Sequence, residues 1–285
     1  WLDEVRDMLG REVDYDLEAH TTRHFREALA DDPRFVVPEV YGDYSTHNIL
    51  CLSYEEGVHI SDPSVTELSQ ERRNFLGRAI MELCCREVFE WNKMQTDPNF
   101  GNYLMRVGDD GKDKIVLLDF GAIRDFDDEV LGPGREMIRA AWLHDSERLF
   151  GAMRALEFLD GEVPRRLLDD FAALCFEAIE ALQDPDRFPP PKSVVNDKGE
   201  YLWGESNLPN RVMNRASRTA LSVHFDVPPK EFIFLFRKLL GAYTFLHVIK
   251  AEVRGNTILE PFVHMREDSD RAIVEQKMNE KRKKG

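Results

Sequence analysis

No lysine occurs before Lys93, so no ammonium group in the first third of the chain can grip a phosphate. No glycine-rich loop stands ahead of Glu12 either. Cations are short overall: the formal net charge is −15 and the pI is near 5.0. That balance argues against nonspecific nucleic-acid binding through a basic surface. No apolar run reaches the length of a bilayer span. The longest, FIFLFRKLLGAYTFLHVI over residues 232–249, is interrupted by Arg237, Lys238 and His247. It reads as a buried helix, with a helix bordering a lipid pocket or docking on a bilayer face as the alternative. Cysteine is scarce. Cys51, Cys84, Cys85 and Cys175 have no zinc-ligand spacing, so reduced, buried thiols and a reducing compartment are expected. The histidines are scattered, and His20, His24 and His47 are expected to be surface or packing residues. Finally, no Ser, Thr or Tyr lies between Asp119 and Ser146, so no phosphorylation switch is expected there.

What is present centres on two segments. MQTDPNFGN over residues 94–102 places an Asp and an Asn five residues apart, and VLLDFGA brings Asp119 seventeen residues after Asn102. A kinase-type phosphoryl-transfer site needs one acid to orient the attacking oxygen and two oxygen ligands to hold magnesium on the phosphates. Asp97 fits the first role, and Asn102 with Asp119 fits the second. Magnesium keeps several waters and takes only one or two protein carboxylates beside the substrate phosphates. Two neighbouring backbone segments therefore suffice. Pro98 fixes the backbone after Asp97, and Gly101 frees it before Asn102. KIVLL over residues 114–118 is short and β-branched, which predicts a buried strand ending at Asp119. The turn-rich stretch 106–114 predicts a hairpin. The alternative is a solvated hairpin whose Asp and Asn only stabilise turns.

At these residues the chain resembles the UbiB-type, or AarF-like, atypical kinases. MQTDPNFGNYL with VLLDFGAIR is similar to the branch associated with coenzyme Q biosynthesis, where other branches carry His at the position of Gln95. Glu12-Val13-Asp14 looks like the family's acidic E-x-D motif, which would reach toward magnesium or phosphates. Glu18 stands where the helix C glutamate would be. Residues 37–41 and 50–57 resemble the strand pair leading to the interlobe hinge. The likeness is good over residues 9–156 and loose beyond. It implies ATP and Mg²⁺ as cofactors, ATPase activity or phosphoryl transfer, and adenine held by the backbone of Ser53, Tyr54 and Glu55. It also implies a setting in coenzyme Q or related isoprenoid-lipid synthesis. The implied partners are an isoprenoid lipid or quinone precursor and lipid-biosynthesis proteins, with peripheral membrane contact. The location would be intracellular, and mitochondrial in a eukaryote. The family's lysine-x-glycine-glutamine segment and its phosphate-gripping lysine are missing. The chain is therefore expected to be a piece entering the kinase fold just before helix C, and to bind ATP poorly by itself. Two rival readings remain. One is a nucleotide- or lipid-binding scaffold without turnover. The other is an aminoglycoside-type phosphotransferase, against which Gln95-Thr96 and Phe120-Gly121 speak.

The expected fold is α+β and kinase-like, with a truncated small lobe and a mostly helical large lobe. Residues 1–56 would be the remainder of the small lobe, 57–265 the large lobe, and 266–285 a charged tail ending in a frayed, solvated helix. Helices are expected over 2–30, 66–93, 135–157, 164–183, 209–222 and 229–251. Gly132-Pro133-Gly134 is expected to form a turn, and the region from Pro189 through Asn207 a long surface loop.

Overall fold

A computed structural model describes residues 14–97, 99–156, 164–220 and 230–284. Helix α1 (Tyr15–Ala28) begins at Asp14, whose carboxylate accepts the Leu17 N–H at 3.0 Å. Such a side chain satisfies one of the orphan donors of the first turn. The start of the helix expected over 2–30 lies outside the described residues. The buried face of α1 carries Ala19, Thr22 and Phe25, three and then three residues apart as a helical stripe requires.

Strand β1 (Phe35–Val36) pairs in parallel with β4 (Lys114–Leu117), and β4 pairs antiparallel with β3 (Tyr103–Arg106). The hairpin expected around residues 106–114 is the β3–β4 connection. A second ladder joins β2 (Lys93–Gln95) to β5 (Ile123–Asp125), with Gln95 opposite Ile123. Ahead of these, residues 39–41 and 51–53 form an antiparallel pair through the Val40–Leu52 bridge.

The helix expected over 66–93 is divided. A short turn spans Pro63–Thr66, and Ser69 caps α2 (Gln70–Cys85). A π-helical segment follows over Arg86–Trp91, and Asn92 ends it in the left-handed conformation at φ 54°. Asn is one of the few residues that adopts this state readily, so the chain can reverse straight into β2. Phe75 is 37% exposed. The buried face instead runs through Leu76, Ala79, Ile80 and Leu83.

The large lobe continues with α3 (Asp128–Trp142), α4 (Ser146–Ala155), α5 (Arg165–Ala178), α6 (Leu208–Ala220) and α7 (Lys230–Val248). A small ladder of β6 (Tyr201–Leu202) with β7 (Glu252–Val253) ties the region before α6 to the end of α7. Two more helices follow, α8 (Gly255–Val263) and α9 (Glu267–Lys284). Gly132-Pro133-Gly134 is not a turn but lies inside α3. A Cβ on Gly132 would stand 3.1 Å from Asp270 Oδ1, so the glycine serves the close approach of α9.

The tail is likewise not merely solvated. Helix α9 packs on α3 and α4, and Asp270 is fully buried. Its carboxylate accepts from Arg135 Nε at 2.9 Å and Arg135 Nη2 at 2.5 Å, and from Arg139 Nη2 at 3.2 Å. The charge density of the tail had hidden this, because one buried acid cannot be told from solvated ones by composition. Removing one partner of a buried ion pair costs about 3–5 kcal/mol, since the remaining charge is left uncompensated. Asp270→Ala is therefore expected to lower the melting temperature by on the order of 10 °C, read by calorimetry. A shift of under about a degree would show that the tail contributes nothing to the fold.

Candidate functional site

The catalytic-loop segment leaves β2 and is fastened on both sides. Thr96 Oγ1 and the Thr96 N–H both donate to the Ala122 carbonyl, at 2.7 and 3.1 Å. Gln95 Nε2 donates to the Asp119 carbonyl at 2.8 Å, and Gln95 Oε1 accepts the Asp97 N–H at 3.1 Å. One side chain thus joins the two segments that carry the predicted acid and the predicted metal ligand.

Asp97 and Asn102 are in direct contact, with Asn102 Nδ2 donating to Asp97 Oδ2 at 3.1 Å. Asp97 Oδ1 accepts the Asn99 N–H at 3.3 Å. An amide that donates its NH₂ to a carboxylate keeps its oxygen free to face a cation. Asp119 arrives from the other strand. The β3–β4 register pairs Tyr103 with Leu117, and Leu118 N–H donates to the Asn102 carbonyl at 3.0 Å. The ladder ends there: Phe100–Asn102 is a 3₁₀ turn, and Asp119 follows Leu118 directly. Asp119 Oδ1 accepts the Gly121 N–H at 2.9 Å, forming the turn after the strand.

Glu18 also belongs here. A Cβ on Gly121 would lie 3.4 Å from Glu18 Oε2 and 3.5 Å from Asp119 Oδ1, so both carboxylates flank that glycine. Burial raises the Glu18 carboxyl above its usual range, and the nearby Asp119 charge raises it further, while a hydrogen bond from the Phe120 backbone offsets part of this. Beneath them Phe120 packs on Phe25 of α1 with ring centroids 5.2 Å apart, and Phe25 meets Trp91 at 5.4 Å. The small-lobe helix is therefore seated on the Asp-Phe-Gly turn.

Among the described residues, none of the carboxylates of Glu18, Asp97 and Asp119 has a cationic partner. The three carboxylates are not gathered within one coordination radius, but Glu18 with Asp119 and Asp97 with Asn102 form two adjoining pairs of the hard oxygen donors that suit Mg²⁺. The residues present fit that ion. The raised Glu18 carboxyl has a consequence for stability. The folded chain binds this proton more tightly than the unfolded one, so the group's contribution improves as pH falls and is unfavourable once Glu18 ionises. Glu18→Gln is expected to melt higher than wild type near neutral pH in EDTA. The gap should close as the pH drops and wild-type Glu18 protonates. A Gln variant less stable at every pH would contradict this placement.

The other predicted residues fare unevenly. Asp14 caps α1 and lies with Asp16 and His47 in an exposed group whose ligand atoms fall within 4.8 Å of one another. His47 Nδ1 meets Asp16 Oδ2 at 3.1 Å, a proximity across 31 residues that spacing did not reveal. Glu12 lies outside the described residues. At the hinge, Ser53 N–H donates to the Glu39 carbonyl at 2.9 Å, so that donor is already engaged within the small lobe and is not free for adenine. Ser53 Oγ donates to Glu55 Oε1 at 2.7 Å, and Arg106 Nη2 donates to Glu55 Oε2 at 2.7 Å. Among the described residues the N–H groups of Tyr54 and Glu55 have no main-chain partner. The Tyr54 side chain is 88% exposed.

Three buried groups that the sequence reading missed support the loop. Glu87 lies in the π-helical segment, Lys238 in α7, and Gln95 in β2. Lys238 had been visible only as an interruption of an apolar run.

The strand pair, the hinge, the Asp-x-x-x-x-Asn loop and the Asp-Phe-Gly turn set on a helical lobe define a kinase-like fold. The chain belongs to the ABC1 atypical kinase-like family, whose domain matches residues 1–153. This bears out the UbiB-type resemblance. The chain is 31% identical over 84% of its length to the mitochondrial atypical kinase COQ8 of Saccharomyces cerevisiae. It is 30% identical over 92% of its length to the mitochondrial atypical kinase COQ8B of Rattus norvegicus. It spans 44% and 46% of those two proteins, less than half of each. The Mycobacterium tuberculosis protein Rv3197, solved with erythromycin, superposes with a TM-score of 0.62 at 21% identity, over 91% of this chain and 60% of that one. That likeness concerns the fold.

Proposed function

We propose that this protein binds ATP with Mg²⁺ and hydrolyses it or transfers its terminal phosphoryl group. The Asp97–Asn102 hydrogen bond, with Asp119 held to the same segments by the bonds of Leu118 to Asn102 and of Gln95 to Asp119, carries the reading. Asp97 orients the attacking hydroxyl or water and accepts its proton. Asn102 and Asp119 hold the metal from two adjoining strands, and Glu18 stands on the same side of the turn. Bound there, Mg²⁺ neutralises charge on the β- and γ-phosphates. Gln95 keeps the two segments in register, and positioning of this kind is a large part of phosphoryl-transfer catalysis. The main-chain N–H groups of Tyr54 and Glu55 are the donors offered to adenine.

The setting follows from the relatives. Proteins named COQ8 and COQ8B point to support of coenzyme Q or related isoprenoid-lipid synthesis, in mitochondria where the host is a eukaryote. Contact with a membrane would be peripheral, since no helix among the described residues is long and apolar enough to cross one. An apolar cavity of about 80 Å³, bordered by Met81, Val88, Met137, Phe232 and Leu239, would admit only a short stretch of an alkyl or isoprenyl chain.

The test is a thermal-shift titration of the full natural protein with ATP and ADP, with and without Mg²⁺, beside a phosphate-release assay. Stabilisation that needs Mg²⁺ together with phosphate release supports an enzyme. Mg²⁺-dependent stabilisation with no release, and no phosphorylated product, would favour the scaffold without turnover.

A further inference from the structure

The π-helical segment ends the main helix of the large lobe directly under the catalytic loop. Local π geometry inside a helix recurs at functional positions, and here it carries Glu87, which is 2% exposed. Glu87 Oε2 accepts the Gln95 N–H at 2.9 Å. Glu87 Oε1 accepts from Lys238 Nζ at 2.7 Å, and Lys238 is itself 7% exposed. The Tyr103 side chain lies within the electrostatic reach of the same ammonium. Tyr103 follows Asn102 in the chain, and Gln95 stands two residues before Asp97.

One ammonium, 136 residues past Asn102, is therefore linked through Glu87 to the start of the segment bearing Asp97 and Asn102. Through Gln95 the same chain of bonds reaches the Asp119 carbonyl. Stability alone is a poor reason for the pair, because a volume-matched apolar pair in such a place is often as stable or more so. We propose that Lys238 and Glu87 are positioning residues that set the catalytic loop, so that helix α7 fixes where Asp97, Asn102 and Asp119 stand. This rests on the phosphoryl-transfer reading for its kinetic consequence, but not for its structural one.

The test uses the full natural protein and two variants. E87L/K238M replaces the ion pair by an apolar pair and withdraws the acceptor from Gln95. E87D keeps the charge beside Lys238 but pulls the carboxylate back by one methylene, and it remains informative should the double variant fail to fold. Amide hydrogen exchange read by mass spectrometry is expected to quicken at residues 95–97 and 119–122 in both, while α2 and α7 keep wild-type protection. The kcat of phosphate release should fall by about 10–100-fold, the scale of a catalytic group displaced by about an ångström. KM for nucleotide should stay within about 3-fold, and the single-turnover rate constant, which does not depend on the fraction of competent protein, should fall with kcat, whereas a packing defect would lower only the amplitude. K238R, which keeps a cation, should retain most of the rate. Wild-type exchange in the loop of folded E87D would overturn the proposal. If wild type itself releases no phosphate, the proposed activity fails, and loop exchange alone decides whether the pair braces the segment.

Discussion

Asp119→Asn is expected to weaken Mg²⁺-dependent nucleotide binding by at least about 100-fold, equivalent to about 2.8 kcal/mol. The argument is local. Asparagine matches aspartate in size, and its oxygen can still accept the Gly121 N–H that closes the turn. The strand register and the Phe120–Phe25 packing do not involve the lost charge. What disappears is an anionic ligand for a hard divalent cation, which takes few protein carboxylates and so depends on each. Titration calorimetry with Mg-ATP gives the affinity, and circular dichroism checks the fold. Unchanged affinity in a folded variant would remove Asp119 from the metal site.

Asp97→Asn should behave in the opposite way. Nucleotide affinity is expected to stay within about 3-fold, while turnover falls by about 10²–10⁴, the range ascribed to a positioned proton acceptor. The substituted amide could keep the contact with the Asn99 N–H but could no longer take a proton from the attacking oxygen. The charge opposite Asn102 Nδ2 is also lost, which accounts for the allowance on affinity. Single-turnover phosphate release separates the chemical step from product release. Equal turnover in variant and wild type would exclude Asp97 from catalysis.

The backbone that carries these two aspartates was legible in the sequence, because it depends on local patterns. An Asp-Pro loop, a β-branched run and Asp-Phe-Gly each declare their own backbone. Helices α5, α6 and α7 were legible for the same reason, since their apolar periodicity is strong, whereas the single helix expected over 135–157 is α3 and α4, separated at His144 with φ 55°. What stayed hidden depends on contacts between distant segments. Nothing in GPG at residues 132–134 says that α9 will lie against it, and the alternative turn was the better local guess. Asp270 in an acidic stretch and Lys238 in an apolar one gave no sign of meeting Arg135 and Glu87. Ser53 was legible as a hinge residue, but not that its N–H would be engaged by Glu39.

Position also explains Glu18. The family resemblance set it at the place of the helix C glutamate, and in the structure it flanks Gly121 beside Asp119. Two carboxylates brought together by folding oppose one another until a cation arrives.

The most direct measurement is a crystal structure of the full protein with Mn²⁺ and a non-hydrolysable ATP analogue, the ion located by its anomalous scattering. The account predicts one peak coordinated by Asp119 and the Asn102 side-chain oxygen at about 2.1 Å, with Asp97 facing the terminal phosphate. A peak held at Asp14, Asp16 and His47 instead, with none between Asn102 and Asp119, would contradict it.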